Sequence, residues 1–273
     1  MLASFSAEML KLYKRPAAWV LLLVSLVLSQ VFNYLVPYAG YLSAHNDRAA
    51  ERILTRTLPE NLIPNSIGGF PVFAGALALT LGAVSVGSEY GWGTLKTMLI
   101  QRPRRPSVYA GQPLVLAVAV FAIVLCIFAF GALTSYAIAA SHSEPVAWEG
   151  QATLTRGFAS GWLILMMWCL LGAMLAFLFR GMALPIGLGV VWVLGVENLV
   201  VNVAARLLDF AETLQKGLPG VNAGSLVGAL GGRSDAPGVN SLVDGTQATL
   251  VLVAYAVVFV LIGAFALRRR DVT

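Results

Sequence analysis

Long apolar segments separated by short polar ones make up most of the 273-residue chain. A bilayer core about 30 Å thick is crossed by about 20 apolar residues, because each residue of an α-helix rises about 1.5 Å. Six segments are long enough, and each predicts a transmembrane helix. A cleaved signal peptide is the alternative for the first, although signal peptides usually have apolar regions of about 7–15 residues. The six predicted spans cover residues 17–37, 67–88, 112–138, 158–179, 184–203 and 246–267.

Composition supports this interpretation and excludes other classes. Hydrophobic residues make up 58% of the chain and charged residues only 11%, whereas a soluble domain carries about 25% charged residues. A soluble globule could not bury so much apolar surface. The pattern therefore predicts an all-α integral membrane protein with a single transmembrane domain over residues 1–273.

Basic residues concentrate on one side of the predicted arrangement. Segments 1–16, 89–107, 180–183 and 268–273 hold 11 of the 18 Lys and Arg, although they contain fewer residues than the segments on the other side. Positively charged loops favour the cytoplasm, so we expect both termini there. Basic loops also account for the net charge of +5, and we expect no nucleic-acid partner.

The N-terminal segment 2–14 places apolar residues at helical spacing with charges between them. This pattern predicts an amphipathic helix lying in the cytoplasmic interface of the membrane. The apolar face and the neighbouring charges are formed by Phe5, Glu8, Met9, Lys11 and Leu12.

The segment between the second and third spans reads GSEYGWGTLKTMLIQRPRRP. Gly91 and Gly93 permit a sharp turn where the chain leaves the membrane. Thr94 can cap a short helix, which Pro103 and Pro106 would end. The pattern predicts a rigid cytoplasmic helix suited to docking, and an ordinary basic loop is the alternative.

The fifth predicted span contains three polar residues, Glu197, Asn198 and Asn202. Glu197 would lie about 20 Å into the membrane, where a charge costs about 2.5–3.5 kcal/mol even on a mild scale. Three interpretations stay open: Glu197 lines a transport path, contacts another helix, or extends to the outer interface.

Two of the predicted outer loops carry local patterns. Arg48, Glu51, Arg52 and Arg56 are spaced three or four residues apart, which predicts a surface helix that Pro59 and Pro64 end, without chemistry of its own. The segment LPGVNAGSLVGALGG is apolar but too short to span, so it predicts a re-entrant or interfacial segment before the last span.

Motifs for catalysis or cofactor binding are absent from the sequence. No phosphate-binding loop of the G-x-x-x-x-G-K-[ST] type occurs. The two histidines, His45 and His142, lie in predicted outer loops, and Cys126 and Cys169 lie in apolar segments. We therefore expect no metal site, no cofactor bound by this chain and no enzyme activity.

The segment GSEYGWGTLKTMLIQRPRR resembles the signature after the second span of bacterial type-2 ABC transporter permeases. The resemblance extends in chain order to LPENLIPNSIGGFPVFAGALAL, LPGVNAGSLVGAL and the terminal LRRRDVT. Gln112 is a departure, because many members of the family carry lysine after the glycine at that point.

The resemblance implies how such a chain would work. Two permeases, identical or paralogous, would pair with separate ATP-binding cassette ATPase subunits that hold ATP and magnesium. Residues 2–14 would be the interfacial elbow helix, and 94–101 the coupling helix that docks on the ATPase. The residues implied in coupling are Glu89, Tyr90, Gly91, Gly93, Thr94, Leu95, Lys96, Met98 and Leu99.

The expected function is export of a hydrophobic or amphipathic substrate, such as an antibiotic, a peptide or a lipid, across the bacterial inner membrane. Two alternatives remain from the residues. One is an ion- or proton-coupled secondary transporter that uses Glu197, and the other is a membrane scaffold that binds partners without transport.

Overall fold

The computed structural model describes residues 2–91, 105–197, 200 and 209–269. Within them the regular structure is helical and no strand occurs. Three π-helical turns lie at Val31–Leu35, Phe70–Ala74 and Trp192–Val196, and a 3-10 turn lies at Pro59–Asn61. The α-helices are α1 (Leu2–Lys14), α2 (Pro16–Gln30), α3 (Val36–Leu42), α4 (Asp47–Thr57), α5 (Leu62–Ile67), α6 (Gly75–Gly91), α7 (Arg105–Ser141), α8 (Gln151–Phe179), α9 (Ala183–Val191), α10 (Asp209–Gln215), α11 (Pro219–Ala229) and α12 (Gly245–Arg269).

Among the described residues, five helical segments are long and apolar enough to cross a membrane. They coincide with five of the six predicted spans, and the chain is an all-helical, multi-pass membrane protein. The segments are Pro16–Leu42, Pro59–Gly91, Gly111–Ser141, Gln151–Phe179 and Gly245–Leu267.

The segment predicted as the fifth span, 184–203, differs from the other five. Its apolar helix, Ala183–Val196, is shorter than a spanning helix. Beyond Glu197 the described residues resume at Val200 and then at Asp209. The count of six spans therefore stays a prediction.

The first two spans are longer than the apolar pattern predicts. The first continues through a π-helical turn to Leu42, and the second begins at Pro59. The predicted loop helix between them is α4, which ends at Thr57. Pro64 does not end that helix, because it lies near the start of α5, where the missing backbone N–H would have no partner within the helix.

Helices α6 and α8 are the most closely packed pair, because glycines remove side chains from their interface. A Cβ atom on Gly82 of α6 would lie 1.9 Å from the carbonyl oxygen of Cys169. Reciprocally, a Cβ on Gly172 of α8 would lie 1.9 Å from the carbonyl oxygen of Leu79. Small residues permit such backbone approach between membrane helices, which is stabilised by dispersion rather than by the exclusion of water.

The first span contributes little to the protein core. Large apolar side chains such as Leu23, Val27 and Leu35 are exposed along it. Lipid tails are as apolar as these side chains, so their exposure costs little in a membrane. One polar contact joins the span to α7, since the Thr134 hydroxyl donates to the Gln30 Oε1 at 2.8 Å.

The predicted segment before the last span forms α11, a helix buried against the protein. The following loop returns along it through Asn240, whose Nδ2 donates to the carbonyl oxygen of Val221 at 3.2 Å. The Ser225 hydroxyl donates to Asn240 Oδ1. A Cβ on Gly224 would lie 1.8 Å from the carbonyl oxygen of Gly238, so the small residues of this segment permit the loop to pack closely.

Candidate functional site

Glu89, in the last turn of α6, lies at the centre of a charged junction between α1, α2 and α6. Its side chain is only 1% exposed. The Arg15 Nη2 lies 2.7 Å from Glu89 Oε1, and the Lys11 Nζ lies 3.2 Å from Glu89 Oε2. Two cations from the N-terminal segment thus surround one buried carboxylate.

Arg15 occupies the break between α1 and α2, and Pro16 explains its backbone. Proline disfavours the helical conformation of the preceding residue, and Arg15 is extended, with φ −87° and ψ 116°. Its Nη1 donates to the carbonyl oxygen of Ser85 at 2.8 Å. Arg15 therefore binds both a backbone carbonyl and the Glu89 carboxylate of α6.

A second carboxylate completes the junction. Glu8 is buried on α1, and its Oε1 accepts a hydrogen bond of 2.7 Å from the Lys11 Nζ. Burial raises the pKa of Glu8 above its ordinary value, and the hydrogen bond from Lys11 opposes that shift.

On its other flank, the end of α6 contacts α8 and the turn between α8 and α9. A Cβ on Gly87 would lie 2.6 Å from the carbonyl oxygen of Gly181 in that turn. The rings of Tyr90 and Phe177 make an edge-to-face contact with centroids 6.5 Å apart. Ion pairs on one flank and close packing on the other therefore hold the last turns of α6.

The charged junction fixes the helices that meet at it. Glu8 and Glu89 balance the charges of Lys11 and Arg15, and removing one member of a buried pair leaves an uncompensated charge that costs about 3–5 kcal/mol. The three helices are therefore held together at this point. In the described part of the chain, no three His, Cys, Asp or Glu side chains group as metal ligands.

The apolar face predicted for the N-terminal helix packs on the protein. Leu12 is buried, and Phe5 and Met9 pack against the core. Leu10 and Tyr13 remain exposed. The amphipathic pattern thus describes a helix whose apolar face contacts protein, while its predicted position in the membrane interface stays a prediction.

Glu197 lies at the end of the π-helical turn that follows α9, remote in sequence from the charged junction. It is 5% exposed, and its Oε1 accepts a hydrogen bond of 2.6 Å from the Trp192 Nε1. The backbone N–H groups of Gly220 and Val221 at the start of α11 also donate to its carboxylate. In this structure Glu197 makes a polar contact between two helical segments, which is one of the three interpretations open from the sequence.

Several residues expected to be functional lie outside the described residues. For coupling these are Gly93, Thr94, Leu95, Lys96, Met98 and Leu99. For the substrate path they are Asn198 and Asn202. Their predicted roles stay predictions, and Gly91 is described as the last residue of α6.

Sequence reasoning missed Arg15 and Trp192. Arg15 is one of several basic residues before the first span, and charge counting treats these as equivalent. A signal was present, because the residue before a proline at the start of a helix is placed at the corner between two segments. Trp192 gave no such signal, because an indole in an apolar helix ordinarily indicates packing or an interface.

Fold and junction together define a class: an all-helical, multi-pass membrane protein with a buried charge network at one end of its helices. The chain belongs to a family described as a protein of unknown function (DUF2705), whose profile matches residues 69–273. The match includes Glu89 and Glu197 but begins after α1, which supplies Lys11. No curated protein matches the chain.

Proposed function

We propose that the chain is the six-span permease subunit of a type-2 ABC exporter in the bacterial inner membrane. It would form, with a second permease, the path for a hydrophobic or amphipathic substrate. ATP and magnesium would be bound by a separate ATPase subunit, because this sequence carries no phosphate-binding loop. The segment 94–101 would dock on that ATPase, as the resemblance implies.

The single observation that carries this proposal is the fixation of the end of α6. Glu89 is bound by Lys11 and Arg15 on one flank, while Gly87 contacts the turn between α8 and α9 on the other. A force applied just beyond Gly91 would therefore reach three neighbouring segments. A flexible end would absorb such a displacement, since packed elements transmit motion as discrete shifts.

Glu197 supports the competing secondary transporter less well. A carboxylate that exchanges protons or cations with a path needs access to it, whereas the Glu197 carboxylate is buried and accepts bonds from an indole and from backbone N–H groups. The contacts of Glu197 connect two helical segments. The exporter proposal needs no proton or cation exchange at Glu197, so it is compatible with this structural contact.

Co-purification tests the proposal. Tagged protein expressed from its native locus is extracted in mild detergent, and its partners are identified by mass spectrometry. We expect a stoichiometric soluble protein with a phosphate-binding loop, lost when residues 94–101 are replaced by a Gly-Ser segment of equal length.

The matched control replaces residues 143–150, an equally long segment without regular structure, and should retain the partner. Loss of the partner in both variants would show a general folding defect. A chain that purifies alone and moves solute in liposomes without ATP would overturn the exporter proposal in favour of secondary transport. A chain that binds partners but moves nothing would favour the scaffold.

A further inference from the structure

Helix α9 and its π-helical turn, Trp192–Val196, together lie between the charged junction and α11. We call this segment, Ala183–Val196, the connecting segment. It is apolar, about 20 Å long, and begins directly after the turn at residues 180–182. One of its ends lies beside the end of α6, and the other lies beside the start of α11.

The turn that leads directly into the connecting segment contacts α6 beside the charged junction. A Cβ on Gly87 would lie 2.8 Å from the Met182 Cα and still closer to the carbonyl oxygen of Gly181. Glycine at position 87 therefore permits direct backbone contact, two residues before Glu89. A shift of the α6 end cannot occur without moving this turn.

Packing continues along the connecting segment toward its other end. A Cβ on Gly189 would lie 2.4 Å from the Leu79 Cδ2 of α6, and Val193 is buried. The segment thus lies against α6 for more than one turn. Close-packed helices of this kind shift as bodies rather than bending continuously.

The second end of the connecting segment is fastened to α11 through Glu197. The carboxylate accepts bonds from the N–H groups of Gly220 and Val221, two of the donors that a helix start leaves without partners. A Cβ on Gly220 would lie 1.9 Å from Glu197 Oε2. The carboxylate therefore occupies the space that a side chain at position 220 would fill.

Other contacts hold Glu197 and the start of α11 in register. The Trp192 Nε1 donates to Glu197 Oε1, which fixes one carboxylate oxygen. On α12, the Tyr255 hydroxyl donates to the carbonyl oxygen of Gly217 at 3.0 Å, just before α11. An anion at a helix N-terminus is stabilised by the helix dipole and by the N–H groups that the first turn leaves without partners.

We propose that the connecting segment carries displacement from the charged junction to α11, and that Glu197 is the positioning residue that fastens its far end. The role in transport rests on the proposed function, whereas the fastening of α11 can be tested on the isolated chain. Glu197 would thus act through α11 and not as a ligand for the substrate.

The first test measures how often α11 opens. Ala223, fully buried on α11, is replaced by cysteine, and its reaction with a water-soluble maleimide is followed by peptide mass spectrometry. We expect Glu197→Gln to speed labelling at position 223 about tenfold, because one acceptor oxygen facing the N–H groups becomes an NH₂ donor. Glu197→Asp should give a smaller increase, since it keeps the charge on a shorter side chain.

Two controls separate local opening from unfolding. Glu51→Gln neutralises an exposed carboxylate on α4 and should leave labelling at position 223 unchanged. Native Cys169 is fully buried in α8, so its labelling reports global unfolding. Continued protection of position 223 in Glu197→Gln, or equal acceleration at Cys169, would overturn the fastening role.

A double-mutant cycle then tests the connection itself without any ATPase. If displacement travels through the connecting segment, Glu89→Gln should change labelling at position 223 about threefold while Glu197 is present, and should have no effect in Glu197→Gln. Additive effects would overturn the connection while leaving both the fastening role and the exporter proposal standing. Failure of the exporter proposal would appear separately, as a missing ATPase partner.

Discussion

At the scale of single residues, the buried carboxylates are the most informative feature. Glu89 forms ion pairs with both Lys11 and Arg15, whereas Glu8 forms its ion pair with Lys11 on the same helix. A charge removed from water is tolerated when partners compensate it, and its removal then harms the partners left behind. The two glutamates are both buried, but we expect Glu89 to contribute more to the stability of the fold than Glu8.

Replacement of Glu89 by glutamine should destabilise the protein by about 3 kcal/mol, because Lys11 and Arg15 lose their shared counter-charge. Glu8→Gln is the matched control and should change the free energy of unfolding by less than about 1 kcal/mol, because Lys11 keeps its ion pair with Glu89 and burial already disfavours the charge on Glu8. Thermal unfolding of both variants in one detergent measures the difference. Equal losses in the two variants would contradict the central position of Glu89.

The raised pKa of Glu8 predicts a pH dependence of known sign. An acid whose pKa is higher in the folded state contributes stability that is present at low pH and is lost as the pH rises through the folded-state value. Wild type should therefore lose stability relative to Glu8→Gln as the pH rises above about 4.3, the ordinary pKa of a glutamic acid. Unfolding midpoints of the two proteins, measured across a pH series, give the comparison. A difference that stays constant with pH would contradict the assigned shift.

Arg15 should not be replaceable by lysine. Its guanidinium bonds the Ser85 carbonyl oxygen and the Glu89 carboxylate at once, and the single ammonium group of a lysine cannot reproduce that geometry. If the chain is the proposed exporter subunit, we expect Arg15→Lys to lower ATP-driven transport while the protein still inserts in the membrane. Lys14→Arg, a neighbouring exposed position, is the control, and equal transport by Arg15→Lys and wild type would contradict the assignment.

At the scale of helices, glycines decide which pairs pack closely. Gly82 and Gly172 bring the backbones of α6 and α8 into contact, while Gly187 on α9 has no heavy atom within 4 Å of its Cβ position. Since lipid supplies no hydrophobic force between helices, such contact carries much of their association. A glycine in this protein therefore permits close helix packing only where it lies at a contact between two helices.

Gly82→Ala should destabilise the protein by about 3 kcal/mol, because the added methyl group meets the Cys169 carbonyl oxygen and the helices must separate. Gly187→Ala should be neutral or slightly stabilising, since alanine favours helix and nothing obstructs it. Resistance to denaturant in detergent compares the two variants. A tolerated Gly82→Ala would show that α6 and α8 pack less closely than the structure has them.

At the scale of the whole molecule, lipid is the solvent for most of the surface. Apolar side chains remain exposed along the first span, α7 and α12, including Leu23, Phe121 and Leu261. In water such a surface would aggregate, whereas in a bilayer it makes ordinary contacts. Charged side chains accordingly gather at the ends of the helices.

Thiol labelling tests the predicted orientation. Cysteines replacing Ser43, after the first span, and Met182, between α8 and α9, lie at exposed positions. In intact cells a membrane-impermeant maleimide should label position 43 and spare position 182, and disrupted membranes should expose both. Labelling of both sites in intact cells, or of position 182 alone, would contradict cytoplasmic termini.

The approximate positions of five long apolar helices followed from the sequence, whereas the predicted sixth span did not appear as a helix of spanning length in the described residues. Length and hydropathy suffice for this, because the bilayer imposes about 20 apolar residues on any spanning helix. The helix Asp47–Thr57 followed from local spacing in the same way. The ends of the helices were less predictable where a helix extends beyond the apolar segment. The second span, for example, begins at Pro59, before the apolar segment that predicts it.

The contacts of the candidate site required the tertiary structure. Lys11 and Glu89 are 78 positions apart in the sequence. Glu197 contacts Gly220, and no sequence pattern indicates that these two residues lie together. Periodicity and composition describe how each segment relates to water and lipid, which is a local property of the chain. Which charges face each other depends on how the helices pack, and that packing is decided by the shapes of the glycine-lined interfaces, a property of the folded chain as a whole.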